Sequence, residues 1–299
     1  MIKNLTRDSI KIAYILGSAR SGSTLIERLL ACSSHIQGLG EVIHINELFR
    51  ENRMCSCGKK ISECLYWNKI LKDTDTLDFL KVQYPKNTLW DKFKLMIDLY
   101  LWKDLNFSEN YRDNNIKLFS TFLKLRGKDI LIDSSKIPLR FYYLNKIRQL
   151  KLYPVHVVRN PLGVVWSYTR NIEHKSLDWK VPSIKKACLD WKRVNKFTEM
   201  VLKGCSRRLL VRYEDMCRNP QMELDRIFTY LGIPNVKIDD ILPLAPSHMI
   251  AGNRMAKKVI TEIYDLKSWE SGFSEYEKDR IIKYTKKYFQ KYKYHNEIN

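Results

Sequence analysis

The sequence predicts an α/β protein in three layers, a mainly parallel central sheet flanked by helices, with a helical insertion. Three observations predict it. The short apolar runs Ile12–Leu16, Ile130–Asp133, Tyr153–Val158 and Leu209–Tyr213 have the length and composition of buried strands. Stretches of helical periodicity separate them, and strands that alternate with helices lie parallel. The first strand runs straight into Gly17-Ser18-Ala19-Arg20-Ser21-Gly22-Ser23-Thr24, a glycine-containing loop that opens a helix.

That loop organises the rest. Its backbone N–H groups and the positive end of the helix dipole converge on one spot, which suits an anion. The fold is therefore expected to be P-loop-like. The glycine spacing is that of the nucleotide-triphosphate loop, but Ser23 stands where that loop carries Lys, and the only cation is Arg20. Such a loop suits a phosphoanhydride other than a Mg-bound β,γ-phosphate. Leu25, Ile26, Leu29 and Leu30 form the apolar side of the helix that follows. Ser33-Ser34-His35 breaks the pattern, and Ile36–Leu39 reads as a short strand ending at Gly40-Glu41. The Glu41 carboxylate then lies at the C-terminal edge of the sheet, where open α/β folds bind ligands. It also suits the N-terminus of a helix over Val42–Phe49.

Residues 52–128 read as a helical insertion within a single domain spanning 1–299. Leu89, Phe93, Met96, Ile97 and Tyr100 recur at helical spacing. The insertion is either a lid over substrate or a layer packed onto the core. Past it, Ile130–Asp133 leads into Ser134-Ser135-Lys136, and a helical segment runs through Tyr142 and Ile147. Arg159-Asn160-Pro161 ends the next strand, with Asn160 an N-cap and Pro161 a first helical residue. A long helix is expected over Ser183–Lys203, another after Asn219-Pro220, and a basic one over Tyr276–Tyr292.

The chain carries 53 basic and 33 acidic side chains, a formal charge of +20. This implies an anionic ligand or the composition of an AT-rich genome, and alone decides between neither. With 44% hydrophobic residues the chain is globular in composition. No apolar run is long enough to span a bilayer and no secretory signal is recognisable, so a soluble, cytoplasmic protein is expected. Four of the seven cysteines are scattered, which suits a reducing compartment. Cys55, Cys57 and Cys64 cluster but lack a clear fourth ligand, and no metal is expected.

Four features converge on chemistry. The first is the anion loop with Arg20. Arg159 and Ser167, the latter two turns down its helix, read as a second, separate phosphate site. Tyr213 closes a strand where a planar base can stack or hydrogen-bond. Gly252-Asn253-Arg254 is a basic loop able to close over a phosphate. Two phosphate sites and a base suggest a nucleotide phosphorylated at two positions. The chain here resembles the sulfotransferases that use 3′-phosphoadenosine 5′-phosphosulfate (PAPS). SARSGSTLIERLL resembles that family's 5′-phosphosulfate loop, VVRNPLGVVWSY its 3′-phosphate motif, RYEDMCRNP the segment with an adenine-contacting Tyr, and SHMIAGNRM its late basic loop.

The resemblance has departures. Cytosolic members carry Lys in the first loop and a catalytic His after the third core strand, where this chain has Arg20 and Ser134-Ser135-Lys136. Arg in the loop, Gly-Glu after the second strand and Lys at the third are closer to the tyrosylprotein and bacterial carbohydrate branches. By that resemblance Glu41 is the general base, with His35 and His44 as rivals near the same edge. Arg20 and Lys136 hold the sulfuryl and bridging oxygens. Ser21, Gly22, Ser23 and Thr24 bind the 5′-phosphate. Arg159 and Ser167, helped by Arg254, bind the 3′-phosphate. The donor is PAPS, the product 3′,5′-adenosine bisphosphate, and no metal takes part. The expected acceptor is a hydroxyl on a carbohydrate or glycolipid, then a peptide tyrosine, with Trp67, Trp90, Trp102, Lys92 and Lys103 as candidate contacts. No nucleic-acid partner and no transmembrane segment are expected. A P-loop kinase or NTPase and a non-catalytic anion-binding protein are the rival classes.

Overall fold

Five short strands, β1 (Ile10–Gly17), β2 (Ile36–Gly38), β3 (Ile130–Lys136), β4 (Leu150–Val158) and β5 (Leu209–Arg212), form one parallel sheet in the order β2-β3-β1-β4-β5. This is seen in a computed structural model that describes residues 9–72, 109–170, 181–245, 247–251, 254–265 and 267–297. Because every strand points the same way, the loops that follow them open on one edge.

Alternate residues of β1 decide the layering. Ile12, Tyr14 and Leu16 enter one buried cluster, and Ala13 and Ile15 enter another. That is the period of two expected of a strand buried on both faces. The helices are α1 (Ser23–Leu30), α2 (Ile45–Arg50), α3 (Leu65–Lys72), α4 (Glu109–Arg126), α5 (Pro138–Asn145) and α6 (Pro161–Thr169). They continue with α7 (Ile184–Leu202), α8 (Tyr213–Arg218), α9 (Pro220–Leu231), α10 (Trp269–Gly272) and α11 (Glu275–Lys291). Helices α1 and α9 cover one face through Leu25, Ile26, Leu29, Leu224, Ile227 and Phe228. Trp67, Phe119, Phe122, Phe141 and Tyr142, from α3, α4 and α5, fill the other. Among the described residues, no helix is long and apolar enough to cross a membrane.

Local chemistry explains several boundaries. Asn160 Oδ1 accepts from Leu162 N at 3.0 Å, which starts α6 with Pro161 in its first turn. Ser183 caps α7, and Ser274 with Glu277 makes a capping box for α11. β3 runs on through polar Asp133 to Lys136 because those groups have partners. Fully buried Asp133 takes both Arg140 Nε at 3.1 Å and Nη2 at 2.9 Å.

Some expectations need correction. β4 begins at Leu150, three residues before the expected start, because Leu150 and Lys151 already pair with Ile10 and Lys11 of β1 while the exposed Lys151 interrupts the apolar pattern. Tyr213 opens α8 rather than closing β5. Trp67 is fully buried against Phe49, Tyr66 and Phe122, so it packs the core and offers acceptor no face. Trp90, Trp102, Lys92, Lys103 and the helix expected around Leu89–Tyr100 lie outside the described residues.

Candidate active site

The loop after β1 is shaped by its backbone. Gly22 caps α1 at φ 91° with no side-chain hydrogen bond, and the first turn of α1 carries no acidic residue. A Cβ on Gly22 would stand 2.2 Å from Tyr213 Cδ2, so only glycine permits both the turn and the close approach. Ser21 Oγ donates to Ser18 O at 2.6 Å and closes the loop from within. Ser23 and Thr24 are buried at the head of α1. Anion-favouring N–H groups therefore face the sheet edge.

Arg20 sits in the same loop at φ 69°, an uncommon backbone for a side-chain-bearing residue and one that occurs at ligand sites. Its Nε donates to Ser167 Oγ at 2.7 Å. Arg159, past the end of β4, donates through Nη1 to Arg20 O at 3.3 Å. The Arg159 guanidinium lies 4.3 Å over the Tyr213 ring and 3.5 Å from Asp265 Oδ1. Arg159 and Asp265 side chains are each 15% exposed. Burial raises the Asp265 carboxyl above its usual range, while Arg159 pulls it back.

Glu41 and Lys136 meet at the adjoining strand ends. Lys136 Nζ donates to Glu41 Oε1 at 2.5 Å, and Lys136 also adopts positive φ, 64°. Their side chains are 11% and 20% exposed for Lys136 and Glu41, so both remain reachable. Backbone holds Glu41 from the other side, where its N–H donates to Ile250 O at 2.8 Å. Below it, fully buried Glu27 of α1 accepts from Gly40 N at 2.7 Å and from the Ser134 hydroxyl. Burial raises the Glu27 carboxyl from 4.5 to about 7.

The fold thus gathers Arg20, Ser21, Gly22, Ser23, Thr24, Arg159, Ser167 and Tyr213 around one loop, with Glu41 and Lys136 at neighbouring strand ends. The two phosphate features, expected to be separate, are contiguous through the Arg20–Ser167 and Arg159–Arg20 hydrogen bonds. Tyr213 is enclosed between Gly22 and Arg159 at 6% exposure, not open for stacking. Burial also pushes its phenol far up. Gly252 and Asn253 lie outside the described residues, as does the Arg254 side chain; Arg254 begins a 3-10 turn to Ala256. His35 is at the wrong edge for a base. It precedes β2 and pairs with Asp129, which precedes β3. His44 does stand beside Glu41, 3.8 Å from Oε2.

Three residues escaped the sequence reading. Glu27 stands beside Arg28 in sequence with nothing to mark it as buried. Tyr168, the neighbour of Ser167, has a phenol raised by burial, then lowered by Arg20 and raised by Asp190 and Glu41, so it feels both halves of the site. Asp265 had no motif around it.

Set beside known proteins, the chain matches the sequence profile of the Sulfotransferase family over residues 13–237. No curated protein matches it. Among solved structures it is similar to a sulfotransferase domain from the curacin biosynthetic pathway, with a TM-score of 0.54 and 19% identity, covering 92% of this chain and 96% of that one. It is also similar to a sulfotransferase domain of the Synechococcus PCC 7002 olefin synthase, with a TM-score of 0.49 and 19% identity, covering 94% and 95%. The curacin-pathway likeness supports the fold, and the profile reaches from β1 beyond α9. The chain belongs to the sulfotransferase family and is an enzyme of sulfuryl transfer.

Proposed function

We propose that this enzyme moves the sulfuryl group of PAPS to an acceptor hydroxyl, with Glu41 as general base. The observation that carries the reading is the Lys136–Glu41 pair at 2.5 Å, on the edge where the Arg20 loop also opens. Sulfuryl transfer needs in-line geometry and stabilised charge on the departing oxygen. In this reading Glu41 takes the acceptor's proton as its oxygen attacks sulfur. Lys136 and Arg20 hold the sulfuryl and bridging oxygens. The N–H groups and hydroxyls of Ser21, Gly22, Ser23 and Thr24 take the 5′-phosphate. Arg159 and Ser167 take the 3′-phosphate, with Arg254 assisting, and Tyr213 backs the adenosine side. Gly252 and Asn253 complete the closing loop. No step requires a metal, because the cations of the chain meet the developing charge.

The acceptor we favour is a hydroxyl on a carbohydrate or glycolipid, acting in the cytoplasm, with residues 52–128 as a helical insertion within the single domain. The test combines two measurements. Glu41→Gln should leave 3′,5′-adenosine bisphosphate binding nearly intact and lower turnover by roughly 10²–10⁴-fold. Turnover within a few fold of wild type would remove the base assignment. Incubation with labelled PAPS against oligosaccharide and tyrosine-peptide panels identifies the acceptor. Label confined to peptide tyrosine would overturn the carbohydrate choice and leave sulfuryl transfer standing.

A further inference from the structure

Ligand-bearing side chains gather at a second place, behind the strand edge that carries Glu41. The sulfurs of Cys55, Cys57 and Cys64 and the Nδ1 of His248 all lie within 4.8 Å of one another. The sequence offered three of these and no fourth ligand, hence the expectation of no metal. The fold supplies the fourth from 184 residues beyond Cys64.

Three of the six spacings stand close to those of a tetrahedral ion. Zn–S bonds of about 2.3 Å and Zn–N bonds of about 2.0–2.1 Å put two sulfurs about 3.8 Å apart, and a sulfur and a nitrogen about 3.6 Å apart. Cys57 Sγ lies 3.7 Å from Cys64 Sγ. His248 Nδ1 lies 3.3 Å from Cys64 Sγ and 4.0 Å from Cys55 Sγ. All three cysteines are free thiols.

The backbone presents these groups deliberately. Met54 and Lys60 bridge antiparallel, Cys55 N donates to Lys59 O at 2.9 Å, and Gly58 N donates to Cys55 O at 3.0 Å. Gly58 turns the tip at φ 87° with open space where a Cβ would go, so glycine serves the turn and not a contact. The far ligand is held as firmly. Trp67 Nε1 donates to His248 O at 2.9 Å, and the Tyr66 ring stacks on the imidazole at 5.4 Å and 8°. Ser56, between the first two cysteines, donates to Ser247 O and accepts from Met249 N at 2.8 Å.

We propose that Cys55, Cys57, Cys64 and His248 bind one zinc ion as a closed structural site. Three thiol protons leave as the ion binds, giving Zn(S-Cys)₃(His) with one net negative charge and no redox change. Thiolates select zinc over magnesium and calcium. Four protein ligands leave no position for substrate, so the ion takes no part in sulfuryl transfer. Its effect is mechanical. His248 lies two residues before Ile250, which bridges to Gly40 and accepts from Glu41 N. Zinc therefore staples the start of the insertion to the segment that braces Glu41. That bracing role rests on Glu41 as the base; the metal site itself does not.

The test is made on the full chain, expressed with zinc and purified under reducing conditions. Elemental mass spectrometry should find about one zinc per chain. Cobalt exchanged for zinc should give the intense visible bands of a tetrahedral, thiolate-rich ion. Cys57→Ser and His248→Ala should lose the metal, and His248→Cys should keep it. Nucleotide binding, measured in parallel, reports on the donor site independently. A reduced wild-type chain that takes up neither ion overturns the proposal, as does an octahedral cobalt spectrum or metal content unchanged in both losing variants. Should those variants not fold, wild-type stoichiometry and the cobalt spectrum decide alone.

Discussion

Glu27 makes stability depend on pH in a direction opposite to most carboxylates. It is fully buried, and burial raises its carboxyl from 4.5 to about 7 despite the opposing hydrogen bonds from Ser134 and Gly40. A carboxyl raised in the fold binds its proton more tightly there than in the unfolded chain. The folded state then holds more protons between pH 4.5 and about 7, and stability falls as pH rises through that window. At about 1.4 kcal/mol per pH unit of displacement, the whole effect is about 3 kcal/mol, of which about 2.5 kcal/mol falls between about pH 5 and 8. Glu27→Gln removes the titration and keeps the geometry. Its amide oxygen accepts from Gly40 N, and its NH₂ donates to Ser134 Oγ as the protonated carboxyl would. Urea unfolding of both proteins at pH 5 and pH 8 measures the difference. Wild type should lose about 2–3 kcal/mol relative to the variant on going to pH 8. Parallel stability curves would refute the argument, since they would mean that Glu27 titrates alike in both states.

Three further outcomes follow from single contacts. Asp133→Ala strands the fully buried Arg140 guanidinium and should cost about 3–5 kcal/mol in chemical denaturation; a loss under about 1 kcal/mol would mean that the pair is dispensable. Gly22→Ala drives a methyl into the Tyr213 ring at positive φ, so it should cost about 2–4 kcal/mol and abolish binding of 3′,5′-adenosine bisphosphate by calorimetry. Unchanged binding would contradict the loop's role. Arg159→Ala should weaken 3′,5′-adenosine bisphosphate by about 1.5–3 kcal/mol and leave AMP unchanged, and equal loss for both would remove the 3′-phosphate assignment.

What could be read in advance followed from local chemistry. β1 and β4 announce themselves as apolar runs, Asn160-Pro161 as a helix start, and the glycine loop by its place between strand and helix. Arg159 leads into the helix that carries Ser167 two turns further on, so their place on one element was legible; that both meet at Arg20 was not. Contacts made across the fold were not. His248 joins Cys64 from another part of the chain, and nothing near it in sequence marks it as a ligand. Asp265 reaches Arg159 from the C-terminal segment. Trp67 was expected to meet the acceptor and is buried instead, since composition reports an aromatic ring and not which neighbour covers it. His35 was assigned to the catalytic edge although it precedes its strand; a parallel strand separates its two ends by its length, and only the outgoing end faces the loop.

The cations at the sheet edge each have a partner within the chain: Glu41 for Lys136, Asp265 for Arg159 and the Ser167 hydroxyl for Arg20. An anion arriving there exchanges contacts instead of adding them. A small ion such as inorganic phosphate or sulfate, engaging one cation, displaces one resident pair to form another of similar worth and gains little. The proposed nucleotide, rigid and carrying two anionic groups, would engage several cations at once, its second contact forming at high effective concentration. Affinity then climbs steeply with the number of cations engaged. On the proposed assignment, the resident carboxylates set a threshold that a single small anion does not clear and a doubly anchored nucleotide does.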